Sequence, residues 1–466
     1  MSLHRRELLL HSGLGLGALA LGALDARAQG RPALQSAPRP PRAKRVIFLF
    51  QSGAPSQVDL FEDKPAVRAH AGEDLRDFVA MERVTGMTAG QSSFPISPGY
   101  FDFQRWGESG FSFSSLLPHT ARIADELCFV RSLHSEHVNH DPALTFLQSG
   151  HAFPGRPSLG SWLSYGLGSA NANLPEFLVL ISKGDMKAAQ PLLARHWGPG
   201  FLPGRHAGVK LRAGREAVLY LDEPSGQSVA EEAPALGAIQ ELNALRHARR
   251  GDPETLTRMA QYEMAARMQA SVPELLDFSD EPESTWELYG EDARRPGSFA
   301  YNCLLARRMA ERDVRFVQLY HMGWDHHSNI QRNLVKQCQE TDQASAALVL
   351  DLKRRGLLHD TAVVWGSEFG RTVYSQGMNR DNAGRDHHPY CFTYWMAGGG
   401  FRPGVSHGQT DDFGYHIVQD PVDVHDLHAT LLHLLGLDHE RLTYRFQGRD
   451  YRLTDVHGRV IEPLLA

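Results

Sequence analysis

Six short, largely apolar runs punctuate the chain and predict its architecture. Val46–Phe50 (VIFLF) runs without a break into a Ser-Gly-Ala-Pro turn, the pattern of a strand buried on both faces of a parallel sheet. Comparable runs recur at Leu127–Val130, Phe177–Ile181, Val314–Tyr320, Thr361–Trp365 and Cys391–Met396. Helix-like stretches separate them at Ser114–Asp125, Ser298–Arg312, Ile330–Arg355 and Val424–Leu435. Strands alternating with helices predict an α/β fold, a mostly parallel sheet flanked by helices on both faces. Between Ser228 and Ser284 the pattern becomes helical alone, with Leu236, Ile239, Leu242 and Leu245 near helical spacing and Asp252-Pro253 placed as N-cap and first helical residue. Residues 228–284 are therefore expected to form a helical insertion over the sheet or the pocket mouth, with Met259, Met264 and Met268 as packing residues.

Segments just beyond the strand-like runs carry the chemistry. Gly323-Trp324-Asp325-His326-His327 comes after Val314–Tyr320, and Gly366-Ser367-Glu368-Phe369-Gly370-Arg371 after Thr361–Trp365. A third cluster is Arg385-Asp386-His387-His388-Pro389. Ligands of open α/β sheets bind outside the carboxyl ends of the strands, and imidazole with carboxylate is a donor set for divalent metals. A buried metal or anion site is expected, with one of His326 and His327 turned inward because neighbours at a strand end alternate sides. The polar loop His134–Asp141, with His137, Asn139 and His140, precedes a predicted helix whose N-terminus would favour an anion. His425 and His428 are expected to be structural or surface residues.

Composition narrows the partners. The net charge is −6 with dispersed basic residues, which argues against nucleic-acid binding. Histidine stands out at 24 residues, against four cysteines without C-x-x-C spacing, of which Cys128 and Cys303 are expected to be buried thiols. The twin arginine Arg5-Arg6, the apolar stretch Leu14–Leu24 and the small-x-small site Ala26-Arg27-Ala28 predict a Tat-type signal peptide over 1–28. A Pro-, Ala- and Arg-rich linker over 29–43 and a folded domain over 44–466 are expected after it. The Tat export machinery is then a partner, and the location periplasmic or secreted. No later stretch approaches the roughly 20 apolar residues of a transmembrane helix, so no membrane association is expected after cleavage.

Three segments carry a family resemblance. Asn139–Gly150 (NHDPALTFLQSG) resembles the sulfatase signature segment, and Val422–Leu437 (VDVHDLHATLLHLLGL) resembles the late sulfatase helix. Trp365–Gly370 sits like the strand end that bears metal ligands, and the order of all three matches the alkaline phosphatase/sulfatase superfamily. More narrowly, the chain from Lys44 onward is identified as similar to the DUF1501 family. The resemblance implies an alkaline phosphatase-like fold and one or two divalent cations (Zn, Ca, Mg or Mn) gripping an ester oxyanion. By position it implies metal ligands at Asp325 with His326 or His327, at Glu368, and at His387 or His388. Asp59 is a further ligand if its loop folds back, and otherwise a turn-capping residue. By position His140 or Asn139 occupies the nucleophile slot; on their own chemistry, Arg371 is expected to steady the oxyanion, and His137 and Asp386 to line the substrate site. The chain departs from the pattern at Ser52, where the first aspartate would stand, at Asn139, and at Phe369, where a histidine would come after Glu368. The reading is an exported hydrolase of sulfate or phosphate esters, with a small molecule or a polysaccharide as the carrier. The alternative is a non-catalytic binding or assembly protein that kept the fold.

Overall fold

A computed structural model describes residues 40–81, 87–184, 190–212, 229–251, 253–376 and 382–466. The expected signal peptide, and the linker up to residue 39, lie outside the described residues. The strands that build the sheet and the site are β1 (Arg45–Ser52), β2 (Cys128–His134), β3 (Phe177–Lys183), β4 (Val209–Lys210), β5 (Phe316–Met322), β6 (Thr361–Gly366), β7 (Gly370–Gln376), β8 (Gly384–His388), β9 (Phe392–Ala397), β10 (Val405–His407) and β11 (Val422–Asp423). The principal helices are α1 (His140–Ser149), α2 (Leu159–Leu167), α3 (Val229–Arg250), α4 (Pro253–Leu276), α5 (Phe299–Glu311), α6 (Ile330–Arg354) and α7 (Val424–Leu434).

The central sheet runs β10-β2-β9-β6-β1-β5-β3-β4, with β11 also on β2. Every pairing is parallel except those of β9, which runs against both β2 and β6. All eight residues of β1 are buried, as its unbroken apolar run requires of a strand covered on both sides. Alternation sends Ile47 and Leu49 into a core shared with α5 and α6, while Val46, Phe48 and Phe50 enter a second core with α1, α2 and α7. Helices therefore cover both faces. Ser52 of β1 is in register with Met322 of β5, and Phe50 with Gly366 of β6. The loops after β1, β5 and β6 consequently leave the same edge of the sheet.

Two sequence expectations change in detail. The helix expected over Ser114–Asp125 shrinks to Pro118–Ala121 and the 3-10 turn Ala124–Glu126, because Phe111–Ser114 pairs as a strand with Phe103–Trp106. The short helix starts where Asp342 accepts the His119 and Thr120 N–H groups. In α3, Ile239, Leu242 and Leu245 stand exposed, whereas α4 sends Met268, Val272 and Leu275 into the core beside α5. All four cysteines are buried free thiols. Among the described residues no helix is long and apolar enough to cross a membrane.

Candidate metal centre

Four side chains meet above the shared edge. Asp325 and His327 leave the loop after β5, His387 lies on β8, and His140 opens α1. Gly53 lets these loops close up. Its φ is +112°, and a Cβ there would sit 2.5 Å from the Asp325 nitrogen. Antiparallel pairing of β8 with β7 places His387 opposite Arg371.

Asp325 Oδ1 is the hub. It lies 2.8 Å from His327 Nε2, 3.2 Å from His140 Nε2 and 3.4 Å from His387 Nε2. The Nε2 atoms of His327 and His387 are 3.0 Å apart. One donor atom from each of the four residues lies within 4.8 Å of all the others. Arg371 Nη2 donates to the same Asp325 oxygen at 2.6 Å, and Gln190 Nε2 donates to Oδ2 at 2.9 Å.

Proton arithmetic then decides what the centre suits. Each imidazole turns Nδ1 toward an oxygen: His387 toward the Val138 carbonyl at 2.6 Å, His140 toward Glu368 Oε1 at 2.6 Å, and His327 toward Gln376 Oε1. A neutral imidazole carries one N–H, and these acceptors place it on Nδ1. Three Nε2 lone pairs and a carboxylate oxygen thus converge with no proton of their own to share. The buried Nε2 of His140 makes no hydrogen bond. Second imidazole nitrogens tied to carboxylate or carbonyl are the usual support of metal-bound histidine. The residues fit a divalent cation.

Without a cation, Asp325 and its neighbours stabilise one another's charges instead. Burial alone would raise the Asp325 carboxyl, but the three histidines and the Arg371 guanidinium hold it far below the usual carboxylate range. Burial, with the Arg371 charge, pulls His387 down to about 4, so its lone pair is available at neutral pH. Burial also opposes charge on His140, yet the Asp325 and Glu368 carboxylates outweigh it and raise that pKa in the metal-free protein. Phe369 closes one side of the centre, its ring 4.9 Å from that of His140 and 4.6 Å from that of His387.

The structure thus brings Asp325, His327, His387 and His140 together, with Arg371 and Glu368 touching them. Other expected site residues stand apart. His326 points the opposite way, toward the Gly323 carbonyl at 3.0 Å, and burial lowers its pKa to about 3. His388 donates from Nε2 to the Tyr415 carbonyl at 2.8 Å. Asp386 accepts from the Thr88 hydroxyl at 2.7 Å and from the His387 N–H at 2.8 Å. Asp59 does not reach the centre, because Arg385 holds it in a buried bidentate pair at 2.7 and 3.0 Å. Arg371 is itself buried, donating to Asp325 and to the carbonyls of Gly53, Ala54 and Arg385. Asn139 is the exposed N-cap of α1, without a side-chain capping bond. His137 packs on Phe146 and lines a separate cleft of about 580 Å³ with His425 and Asp423. None of the four converging residues lines that cleft. His425 and His428 are buried, the latter donating to the Leu147 carbonyl at 2.7 Å. Gln190 and Gln376 support the centre without any sequence signal, since a lone glutamine in a loop or strand end announces no role.

Fold and site together define a mixed α/β protein with a three-histidine, one-aspartate centre at the carboxyl edge of its sheet. Residues 43–465 match the family described as "Protein of unknown function (DUF1501)", and the chain belongs to that family. No curated protein matches it. Among solved structures it is similar to a sulfatase from Pseudoalteromonas sp., at 12% identity over 97% of this chain and 75% of that one, with a TM-score of 0.36. A phosphonate monoester hydrolase from Silicibacter pomeroyi matches at 11% identity over 90% and 76% of the two chains, with a TM-score of 0.37. Alkaline phosphatase from the Antarctic bacterium TAB5 matches at 12% identity over 86% and 100%, with a TM-score of 0.35. Likenesses this loose carry no weight for the chemistry.

Proposed function

We propose that this protein is an exported, metal-dependent hydrolase of sulfate or phosphate esters within the alkaline phosphatase/sulfatase superfamily, acting on a small-molecule or polysaccharide ester. The convergence of three imidazole lone pairs on Asp325 Oδ1 supports this reading most. His140, Asp325, His327 and His387 would hold one divalent cation. Such a cation supplies Lewis acidity, polarising an ester oxygen and offsetting negative charge as the bond to the leaving group breaks. Arg371 orients Asp325 and adds a fixed positive charge beside it. Ligation takes His140 out of the nucleophile slot, and the Asn139 carboxamide is no nucleophile of this kind, so water is the attacking group. With Asp59 engaged by Arg385, a single ion is expected. The twin-arginine segment at Arg5-Arg6 supports export to the periplasm or beyond.

One observation favours a second reading. Four protein donors complete the tetrahedral shell of zinc, and a shell so closed is the mark of a structural site. A cation with six-fold coordination keeps open positions there, so metal identity separates enzyme from binding protein. The test is hydrolysis of aryl sulfates, phosphate monoesters and phosphodiesters by the full chain reconstituted with Mn, Mg, Ca or Zn. A hydrolase should turn over one ester class and lose that activity in Asp325→Ala. Metal binding without turnover by any reconstituted form supports the binding protein instead.

A further inference from the structure

Resting on the cation centre proposed above, we infer that Glu368 is a positioning residue, which fixes His140 with Nε2 toward the cation and is not itself a ligand. Position after β6 makes Glu368 look like a ligand, but its oxygens are already taken. Oε1 accepts the His140 Nδ1–H at 2.6 Å and the Gly53 N–H at 2.9 Å. Oε2 shares the Ser367 hydroxyl proton, at 2.6 Å, with the Gln51 carbonyl at 2.5 Å, and the Ser367 oxygen in turn accepts the Ala54 N–H at 3.1 Å. The carboxylate is fully buried and belongs to no group of converging donors. Turning it toward a cation would strip the buried His140 and Gly53 N–H groups of their acceptor. His327 and His387 lean on an amide and a backbone carbonyl. His140 alone leans on a carboxylate, the partner that most raises the basicity of the opposite nitrogen.

The consequence is specific to His140. Glu368→Gln keeps the shape and an acceptor but removes the charge, so metal affinity should fall roughly 10- to 100-fold while the ligands remain. The experiment titrates Co²⁺ into the metal-depleted full chain and follows both affinity and the visible absorption bands. Positioning predicts one equivalent bound by Glu368→Gln, with weakened affinity and band positions matching wild type. Unchanged affinity would remove the role, and bands moved to those of a different donor set would make Glu368 a ligand. Ser367→Ala, which removes one support of the carboxylate, should weaken binding in the same direction by a smaller factor. It gives the answer should Glu368→Gln fail to fold, since unchanged Co²⁺ affinity there overturns the inference. Wild-type protein that takes up no Co²⁺ overturns the centre itself, which tells that failure from this one.

Discussion

Replacing Asp59 separates a structural carboxylate from a metal ligand. Asp59 and Arg385 are almost fully buried, joined through two short hydrogen bonds, and the Ser56 hydroxyl donates to Asp59 Oδ2 at 2.6 Å. Arg385 also donates to the Thr372 and Val373 carbonyls, which satisfy its N–H groups but not its charge. Asp59→Ala leaves a guanidinium uncompensated in the interior, which costs about 3–5 kcal/mol. The stranded Ser56 hydroxyl adds about 1 kcal/mol. Urea unfolding of metal-depleted protein measures the loss, and metal titration of the folded fraction measures affinity. The structure predicts a large drop in the unfolding midpoint with metal affinity within about twofold of wild type. Metal-free stability within about 1 kcal/mol of wild type, together with lost metal binding, would rule out the structural role and restore Asp59 as a ligand.

Two further outcomes rest on local geometry. Burial, reinforced by the Arg205 charge, lowers His206 to about 3; its Nδ1 faces the Ser164 hydroxyl at 2.8 Å and its Nε2 accepts from Arg205 at 3.2 Å. The folded pKa lies below the unfolded value of about 6.5, so the unfolded chain binds the extra proton first and stability falls as pH drops from about 6.5 toward 3. At pH 5 this one group removes about 2 kcal/mol, and unfolding curves of His206→Gln at pH 7.5 and 5 should show that much less acid loss than wild type; equal losses would contradict the assignment. Gly53→Ala should lower stability by about 1–3 kcal/mol through its positive φ. It should also weaken metal binding, because the new methyl displaces the Asp325 backbone; calorimetry of metal binding that finds wild-type affinity would contradict that packing.

Much of the layout is legible in the sequence because it rests on periodicity. The run Val46–Phe50 announces a doubly buried strand, and β1 lies mid-sheet with all its residues buried. The strand-end clusters likewise mark the loops that converge. Within each cluster, sequence leaves two histidines open, and only tertiary contacts choose between them. His327 turns to Asp325 while His326 turns to its own Gly323 carbonyl. His387 lies opposite Arg371 across β7 and β8, a pairing that depends on a register shift between Arg385 and His387. In the proposed centre Glu368 and His140 exchange their expected parts for a similar reason. The ligand is decided by which group the Gly53 and Ser367 donors have already claimed, and no linear pattern shows that.

The most direct measurement is the metal content of the purified full chain after equilibrium dialysis against each candidate divalent cation, beside Asp325→Ala and His387→Ala. A three-histidine, one-aspartate centre predicts one tightly held ion per chain in wild type, lost from both variants while they remain folded. Wild type that holds no ion, or variants that retain it in full, would contradict it.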